Sequence, residues 1–445
     1  MRSLLGRFHR PFARGVDEQL LLLNNLGDGS TLSLDFTTGV LDPRLTFTRS
    51  TTGTYINSSG YVTSAAIDAP RFDYKPSSQA ALGLLIEGSA VNYMLESSSL
   101  NGYSNSSMAA VSAGSETDPT GTANSARQIY AAAGGTYHAY FRSITAGTNT
   151  QITVSIWAKA RNYTHLFLSD GNTGRAAVRF NLSTGATDNN FGAGYVSAKA
   201  TQFPNGWWRC EMVVNVTAST AYAWGFVGAP SGATLNAFGA QYTGTGNAAD
   251  GIYCYGFQVE GGSSASSYIP TGASTGSRAL DSCYIAGTNF TSWFSTGAGT
   301  VVAQSDNVCT VGQNTLCNFS DSTINNQIRM GDGTGGGANE LLLTVVGGSN
   351  QGVVDSLFNP ALNTAYKTAY AWDTNNFAIC ANGGAVATDT GGTLAGAGVI
   401  TSVTIGGDFY QTSGPNSVNM KNGHIRSWKY YPTRLPNAQL QALTT

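Results

Sequence analysis

The chain contains 445 residues, of which 41% are hydrophobic and 11% are charged, and its formal net charge is −2. The hydrophobic share excludes a disordered chain, and the near-neutral charge excludes a general electrostatic attraction to nucleic acid or to an anionic membrane. No segment reaches the roughly 18 consecutive apolar residues of a membrane helix. Few charges, 55 glycines and many hydroxyl and amide side chains are typical of an extracellular or virion β-protein.

The N-terminus is a basic segment, interpreted as an arm over residues 1–29 with a short helix over 16–23. Its first fifteen residues contain no acidic residue and four arginines: Arg2, Arg7, Arg10 and Arg14. These arginines interrupt the apolar residues, so the segment lacks the apolar core of a secretory signal. A frayed terminus, a peptide that orders on a partner and a contact with nucleic acid all fit this pattern. The second interpretation makes the four arginines attachment residues.

Residues 30–79 contain turns and short extended segments but no long periodic pattern. Without such a pattern a segment does not predict a core of its own. We therefore expect an extended connector that packs on the following domain.

Residues 80–280 show the two-residue alternation of β-strands. In Gln151–Ala160 the apolar side chains Ile152, Val154 and Ile156 point one way and polar side chains point the other. Similar alternation occurs at Ala177–Leu182, Trp207–Val216, Ala221–Val227 and Ile252–Val259. Turn-rich segments separate these strands, which predicts an antiparallel sandwich or jelly roll.

A second run of strands follows a Ser/Gly-rich linker at 263–278. The predicted strands are Gly299–Gln304, Glu340–Val346, Thr364–Trp372, Phe377–Cys380, Val399–Ile405 and Gly423–Tyr431. Asn382-Gly383 predicts a type I′ hairpin, because both central residues of that turn need a positive φ. Asn437–Leu443, after Pro436, predicts a short final helix.

Several motifs resemble those of a widespread group of bacteriophage virion proteins. Four lie near the N-terminus: LDFTTG at 34–39, LDPRLTFTRS at 41–50, APRFDY at 69–74 and GLLIEG at 83–88. Three resemble the carbohydrate-binding-module-like jelly roll of that group: NGWWRC at 205–210, YGFQVEG at 255–261 and SSYIPT at 266–271. From about Phe290 the chain is similar to a laminin-G/concanavalin-like lectin sandwich, and residues 423–440 resemble its closing strand and turn.

The resemblance implies an all-β fold with an extended N-terminal anchoring arm. A jelly-roll β-sandwich over 80–280 is followed by a concanavalin/laminin-G-like β-sandwich over 285–445. It also implies a virion structural protein on the exterior of the phage particle, in the tail or the head. By analogy with phage fibres we expect a homo-trimer that binds other virion proteins through the arm, with no nucleic acid and no membrane insertion.

The residues expected to contact glycans are exposed aromatic rings beside polar groups, because a sugar ring stacks on an aromatic plane while its hydroxyls form hydrogen bonds. In the jelly roll these candidates lie on the polar side of two strands: Trp157, Lys159, Trp207, Arg209 and Glu211. In the second sandwich Arg426 and Trp428 share a predicted face with His424 and Tyr430. For the jelly-roll face, packing against a neighbouring domain or subunit is the alternative. The face in the second sandwich is either a partner surface or simply a solvated one.

The sequence offers no pattern typical of catalysis. Glycoside hydrolysis needs two carboxylates about 5–10 Å apart, and no strand carries two acids at same-face spacing. No nucleophile elbow and no phosphate loop occurs, and the loop aspartates form no dense calcium-binding pattern. We expect no catalytic residue, metal or cofactor, although an acid pair could still be assembled across strands.

These observations favour a non-enzymatic tail fibre or adhesin that contacts host surface polysaccharide through its β-sandwiches. The alternative is a head fibre or capsid decoration protein that binds other virion proteins. A polysaccharide-degrading enzyme is a further alternative.

Overall fold

The computed structural model describes residues 26–113, 115–135, 137–171, 173–236, 239–309, 314–332, 339–408 and 419–445. The basic arm with Arg2, Arg7, Arg10 and Arg14, and the helix expected over 16–23, lie outside the described residues. The described part consists almost entirely of antiparallel strands, with short helices. Its longest helix has eight residues, so no helix there is long and apolar enough to cross a membrane.

The strands are named in chain order. The first seven are β1 Leu32–Asp35, β2 Thr46–Thr48, β3 Gly53–Ile56, β4 Val62–Ala65, β5 Phe72–Tyr74, β6 Ala81–Ile86 and β7 Ala90–Asn92. The next seven are β8 Ser104–Ser106, β9 Met108–Ala113, β10 Arg127–Ala131, β11 Tyr137–Thr145, β12 Gln151–Ala160, β13 His165–Asp170 and β14 Ala177–Asn181. Then follow β15 Thr187–Phe191, β16 Tyr195–Gln202, β17 Trp207–Asn215, β18 Ala221–Ala229, β19 Thr234–Asn236, β20 Gly239–Gln241 and β21 Ile252–Gly261.

The remaining strands and the helices complete the chain. The strands are β22 Gly276–Arg278, β23 Ser282–Ala286, β24 Gly299–Ser305, β25 Thr315–Ser320, β26 Gln327–Asp332, β27 Glu340–Val346, β28 Ser349–Asp355, β29 Tyr366–Trp372, β30 Phe377–Ala381, β31 Ala387–Asp389, β32 Ser402–Ile405 and β33 Gly423–Tyr431. The α-helices are α1 Thr288–Thr291 and α2 Asn437–Thr444. Three 3₁₀-helices are Leu26–Asp28, Phe36–Thr38 and Pro204–Gly206.

The middle of the chain folds as a two-sheet jelly-roll sandwich, here called the inserted sandwich. One sheet has the order β16-β17-β12-β21-β10-β9, and the other has the order β15-β14-β13-β18-β11-β20-β19 with β8 on β11. The alternation predicted for Gln151–Ala160 is confirmed, because Ile152, Val154 and Ile156 lie in the core between the sheets. Residues 104–261 contain all the strands of this unit.

The two ends of the chain together build a second two-sheet sandwich, here called the split sandwich. Its first sheet has the order β31-β30-β29-β24-β33-β6-β5, with β1 on β33, and its second has the order β2-β23-β32-β25-β26-β27-β28. Aromatic rings fill the core, among them Trp293, Phe319, Trp372 and Trp428. The predicted fold class, all-β with two β-sandwiches, is confirmed.

The domain boundaries differ from those expected from the sequence. Residues 30–79 do not form an extended connector, because β1 pairs with β33 (Leu32 opposite Tyr430) and β2 pairs with β23 (Phe47 opposite Cys283). Residues 81–86 form β6 of the split sandwich rather than the start of the jelly roll. Strands of three to six residues whose partners lie far along the chain leave no local periodic pattern, so the sequence analysis did not detect them.

Several local predictions are confirmed. Asn382 and Gly383 have φ values of 45° and 69°, and they connect the paired strands β30 and β31. The C-terminal α2 occupies Asn437–Thr444 and packs Leu440 on alanine side chains of β29 and β30. This helix covers the outer face of the first sheet of the split sandwich.

Gly83 tests the pairing of the N-terminal and C-terminal parts. Its φ is +97°, and a Cβ atom there would lie 2.3 Å from the carbonyl oxygen of Ile425 in β33. A non-glycine residue in the left-handed conformation costs roughly 1–2 kcal/mol. We expect Gly83→Ala to lower the free energy of unfolding by more than this, because the new methyl group must also push β6 away from β33. Denaturant titration measures this change. Gly297→Ala is the control, since open space surrounds Gly297, and equal stability of the two variants would contradict the pairing.

Candidate functional site

The five glycan-contact candidates of the jelly roll do share one face of the inserted sandwich. Trp157 in β12 lies opposite Arg209 in β17, and Lys159 lies opposite Trp207. Glu211 follows Arg209 by two residues and points the same way. The alternation in the sequence therefore predicted their common face.

This face is covered, so the two tryptophans do not present a ring to solvent. Trp157 is 1% exposed and Trp207 is 2% exposed. They belong to a buried aromatic layer with Val62 of β4, Phe203 and Tyr268. This corrects the expectation of sugar stacking on either ring. Packing, the alternative left open by the sequence, is what the structure shows, because the β3–β4 hairpin and the segment around Tyr268 lie on the sheet.

Lys159 and Trp207 make contacts at one end of this layer. Lys159 Nζ lies 3.0 Å from Glu116 Oε1, and Trp207 Nε1 donates to the carbonyl of Thr117 at 3.0 Å. Both contacts hold the 116–117 segment against the sheet. These two candidates therefore have packing partners and do not line the cleft described below.

Arg426 and Trp428 do not share an outer face. A register shift between β24 and β33 places Gln304 opposite Ser427 but Ser305 opposite Ile425, so β33 carries an extra residue at Arg426. Because of this bulge, Trp428 points into the core and is fully buried. Arg426 stays half-buried, with Nη2 3.6 Å from Asp306 Oδ2. A bulge reverses the alternation locally, and the sequence pattern did not show it.

The two sandwiches meet at a seam that contains a buried group of five charged residues. This seam cluster consists of Arg49, Arg71, Glu87, Arg278 and Asp281. Arg71 Nη1 lies 2.6 Å from Glu87 Oε2, and Arg71 Nη2 contacts Asp281. Arg49 also pairs with Asp281 at 3.1 Å, and Arg278 approaches Glu87 at 3.3 Å. The cluster thus joins four separate segments of the chain.

The electrostatics of the seam cluster keep the Glu87 carboxylate ionised. Burial alone would raise the pKa of Glu87, but Arg278 and Arg71 outweigh burial and hold it well below its usual range. The Glu87 carboxylate also accepts from the backbone N–H and the hydroxyl of Ser267, at 2.8 and 2.7 Å. Both carboxylate oxygens of Glu87 therefore have donors, as a buried charge requires.

A histidine between two carboxylates lies beside the cluster, where β5 and β33 meet the seam. His424 Nδ1 lies 2.8 Å from Asp306 Oδ1, and His424 Nε2 lies 3.0 Å from Asp73 Oδ2. Burial opposes the charge on the imidazole, but Asp306 and Asp73 outweigh burial and raise the pKa of His424 to about 10. The ring is therefore protonated at neutral pH and donates from both nitrogens.

A cavity of about 170 Å³ opens along the seam between the sandwiches. This seam cleft brings together side chains of both sandwiches and of the β3–β4 hairpin. Its polar and aromatic lining includes Tyr55, Asp73, Tyr74, Lys199, Thr201, Arg209, Glu211, Ser264 and His424. Of the residues predicted from the sequence, Trp157, Arg209 and Glu211 line it, whereas Lys159, Trp207, Arg426 and Trp428 do not.

A second cavity of about 220 Å³ adjoins the seam cleft and shares Glu87 and Ser264–Ser266 with it. It contains two acids, Glu87 and Glu260. Burial raises the pKa of Glu260 above its usual value despite hydrogen bonds from Ser266 and Gln258. Acids with opposite pKa shifts also occur in catalytic pairs, but here both carboxylates are occupied. Glu87 is bound by Arg71 and Ser267, and Glu260 accepts from Ser266 N, Ser266 Oγ and Gln258 Nε2 at 2.6–2.8 Å.

The sequence analysis missed Arg71, Asp73, Glu87 and Glu260 as site residues. All four lie inside motifs that carried the family resemblance, namely APRFDY, GLLIEG and YGFQVEG. The available signal was a single charged residue within or at the end of an otherwise apolar strand segment, as in Leu84–Glu87. Such a charge must be paired if the strand is buried, and the motifs place the partners together.

Sequence comparisons do not assign the chain to a family. No protein-family model matches it, and no curated protein matches its sequence. Among solved structures, it is similar to the heptameric SAP-like pentraxin of Limulus polyphemus (15% identity, 34% of this chain and 73% of that one, TM-score 0.27). It is also similar to the CBM40 module of the Ruminococcus gnavus IT-sialidase, with 16% identity over 34% of this chain and 84% of that one (TM-score 0.29). A third similar structure is that of the mouse laminin α1 LG4–5 domains, with 7% identity over 65% of this chain and 84% of that one (TM-score 0.21). At these TM-scores the description of the fold rests on the strand order.

Arg71 tests the seam cluster. We expect Arg71→Met to lower the free energy of unfolding by about 3–5 kcal/mol, because removal of a buried partner leaves Glu87 and Asp281 uncompensated. The control is Arg179→Met, which breaks the more exposed pair with Asp188 (2.6 Å) and should cost less than about 1 kcal/mol. Denaturant unfolding followed by tryptophan fluorescence measures both. Equal losses in the two variants would contradict a structural role for the cluster.

His424 predicts a pH dependence of stability. A histidine whose pKa rises on folding stabilises the fold while it is protonated, so this contribution is full below about pH 6.5 and is lost as pH rises towards 10. We expect the free energy of unfolding to fall between pH 6.5 and 10, and His424→Gln to reduce that slope. His165→Gln is the control, because burial and Arg179 lower the pKa of His165 and leave it neutral in this window. An unchanged slope in His424→Gln would refute the assignment.

Proposed function

We propose that this protein is a non-catalytic bacteriophage virion protein that binds host surface glycans at the seam cleft. The observation that carries the glycan-binding part is the composition of the cleft. It combines two half-buried tyrosine rings, Tyr55 and Tyr74, with hydroxyl, carboxylate and cationic groups. Aromatic planes beside converging polar groups suit a sugar ring, which has an apolar C–H face and polar hydroxyls.

The state of the carboxylates supports binding rather than hydrolysis. Asp73 is bound by His424, and Glu211 is bound by the backbone N–H of Ala265 at 3.2 Å and by Lys199 at 3.4 Å. A glycosidase needs one acid free to donate a proton and a second free to attack or to activate water. The acids around the seam instead hold their neighbours in place.

The virion part of the proposal rests on the resemblance of the N-terminal and jelly-roll motifs. Attachment of the arm to other virion proteins, with a trimeric assembly, would present several clefts at once. The cleft volume is below the roughly 300–1,000 Å³ of drug-sized sites, so each cleft takes about one sugar ring and binds weakly. Linked weak sites raise the overall avidity by factors of about 10²–10⁴.

Tyr74 provides the test. Purified protein should bind bacterial cells, or lipopolysaccharide and capsular polysaccharide from them, and Tyr74→Ala should weaken this binding at least tenfold through loss of the stacking surface. Tyr130→Ala is the control, because Tyr130 is also half-buried but lies on β10 away from the cleft. Surface plasmon resonance on immobilised polysaccharide measures the affinity.

Two results would overturn the proposal. Release of reducing sugar from any of these polysaccharides would identify an enzyme. Binding to purified capsids with no binding to any glycan would identify a head fibre or decoration protein, the alternative from the sequence.

A further inference from the structure

The charges that line the seam cleft are unequally compensated. Asp73 pairs with His424, Glu87 with Arg71 and Arg278, and Glu211 with Lys199. Each cleft carboxylate thus has a cation within reach.

Arg209 differs from the other cations of the cleft. Among the described residues, no carboxylate oxygen lies within 4.0 Å of its guanidinium nitrogens. Its Nη2 donates to the carbonyl of Ser266 at 2.8 Å and approaches Ser155 Oγ at 3.4 Å, while its Nε is buried without an acceptor. A guanidinium has five N–H donors. With both Nη2 donors engaged and the Nε–H buried, the two donors on Nη1 are the ones left for a ligand.

The guanidinium is also held in a fixed orientation. It lies over the ring of Trp157, 4.6 Å from the centroid, and Trp157 is itself locked between Phe203 and Tyr268 at ring separations of 5.6 and 5.4 Å. A stacked planar guanidinium is suited to charge-assisted hydrogen bonds with a carboxylate, here from Nη1. Lys199 of the neighbouring strand β16 lies beside the cleft with its side chain 43% exposed, but its charge already pairs with Glu211.

We infer that the seam cleft selects an acidic sugar, whose carboxylate pairs with Arg209. This inference rests on the proposed glycan binding and specifies its ligand class. Arg209 is the specificity-determining residue, because it is the cleft cation without a carboxylate in salt-bridge contact among the described residues. The tyrosine rings Tyr55 and Tyr74 then take the C–H face of the same sugar.

An array of bacterial polysaccharide fragments tests this inference. Each fragment is printed in its native acidic form and after reduction of its carboxyl groups to alcohols, so the pair differs only in charge. We expect the full-length protein to bind native acidic fragments at least tenfold more strongly than their reduced forms. The binding should weaken as NaCl rises from 50 to 500 mM, because salt screens partly exposed charges.

Variants assign the effect to the residue. Arg209→Met keeps the cover over Trp157 and should reduce binding of acidic fragments at least tenfold, to the level of the reduced forms. Arg179→Met removes an arginine from the opposite sheet of the same sandwich and should leave binding unchanged. The salt and carboxyl-reduction series use the unmodified protein, so the inference stays testable if Arg209→Met does not fold.

The outcomes separate this inference from the proposed function. One outcome is that native and reduced fragments bind equally well and that Tyr74→Ala abolishes the binding of both. This outcome would overturn the inference of an acidic ligand but would leave the proposed glycan binding intact. Full binding of acidic fragments by folded Arg209→Met would also overturn it. Absence of binding to every fragment would overturn both.

Discussion

The arrangement of the two sandwiches depends on the buried salt bridges of Arg71. This side chain is fully buried and binds Glu87 and Asp281. These two residues lie in the two chain segments that connect the sandwiches, one after β6 and the other before β23. Burying charges costs desolvation, and the attraction offsets that cost only when the geometry and the remaining hydrogen bonds are satisfied. The Nη1 and Nη2 groups of Arg71 have four acceptors, on Thr54, Glu87, Ser267 and Asp281. Because hydrogen bonds depend on distance and angle, this guanidinium tolerates little displacement. The seam cluster therefore fixes the position of one sandwich against the other.

The shape of the seam cleft follows from that position. One wall comes from β5 and β33 of the split sandwich, and the facing wall comes from β16 and β17 of the inserted sandwich. A small shift of either sandwich would change the distance between Tyr74 and Arg209. Backbone donors of Ala265, Ser266 and Ser267 hold the segment between the walls to Glu211, Glu260 and Glu87. The carboxylates at the seam thus also hold the residues that line the cleft in place.

Local patterns in the sequence predicted the strands well and their partners poorly. The alternation of Gln151–Ala160 and the Asn382-Gly383 turn depend on neighbouring residues, and both appear in the structure as expected. The pairing of Leu32 with Tyr430 depends on residues almost 400 positions apart, and no local pattern carries that information. The bulge at Arg426 likewise depends on the partner strand β24, so the face predicted for Trp428 was the wrong one.

The same limit explains the outcome for the candidate site. Alternation placed Trp157, Arg209 and Glu211 on one face correctly, but it could not tell which parts of that face would be covered. The β3–β4 hairpin that covers Trp157 comes from a segment more than 90 residues upstream in the sequence. Arg209 and Glu211 lie at the border of this cover, and for that reason they reach the cleft while Trp207 does not. Composition and spacing predict which residues share a face of a strand. Whether another segment covers that face depends on the whole fold.

The insertion of one sandwich into the other decides how the molecule would carry a mechanical load. The described chain begins at the split sandwich, where Asp28 contacts Lys429 and Tyr431 and β1 pairs with β33. Tyr74 and His424 of the cleft belong to that same sheet. A pull between Asp28 and Tyr74 would be carried by this single hydrogen-bonded sheet, and the core of the inserted sandwich would lie outside the path of the force.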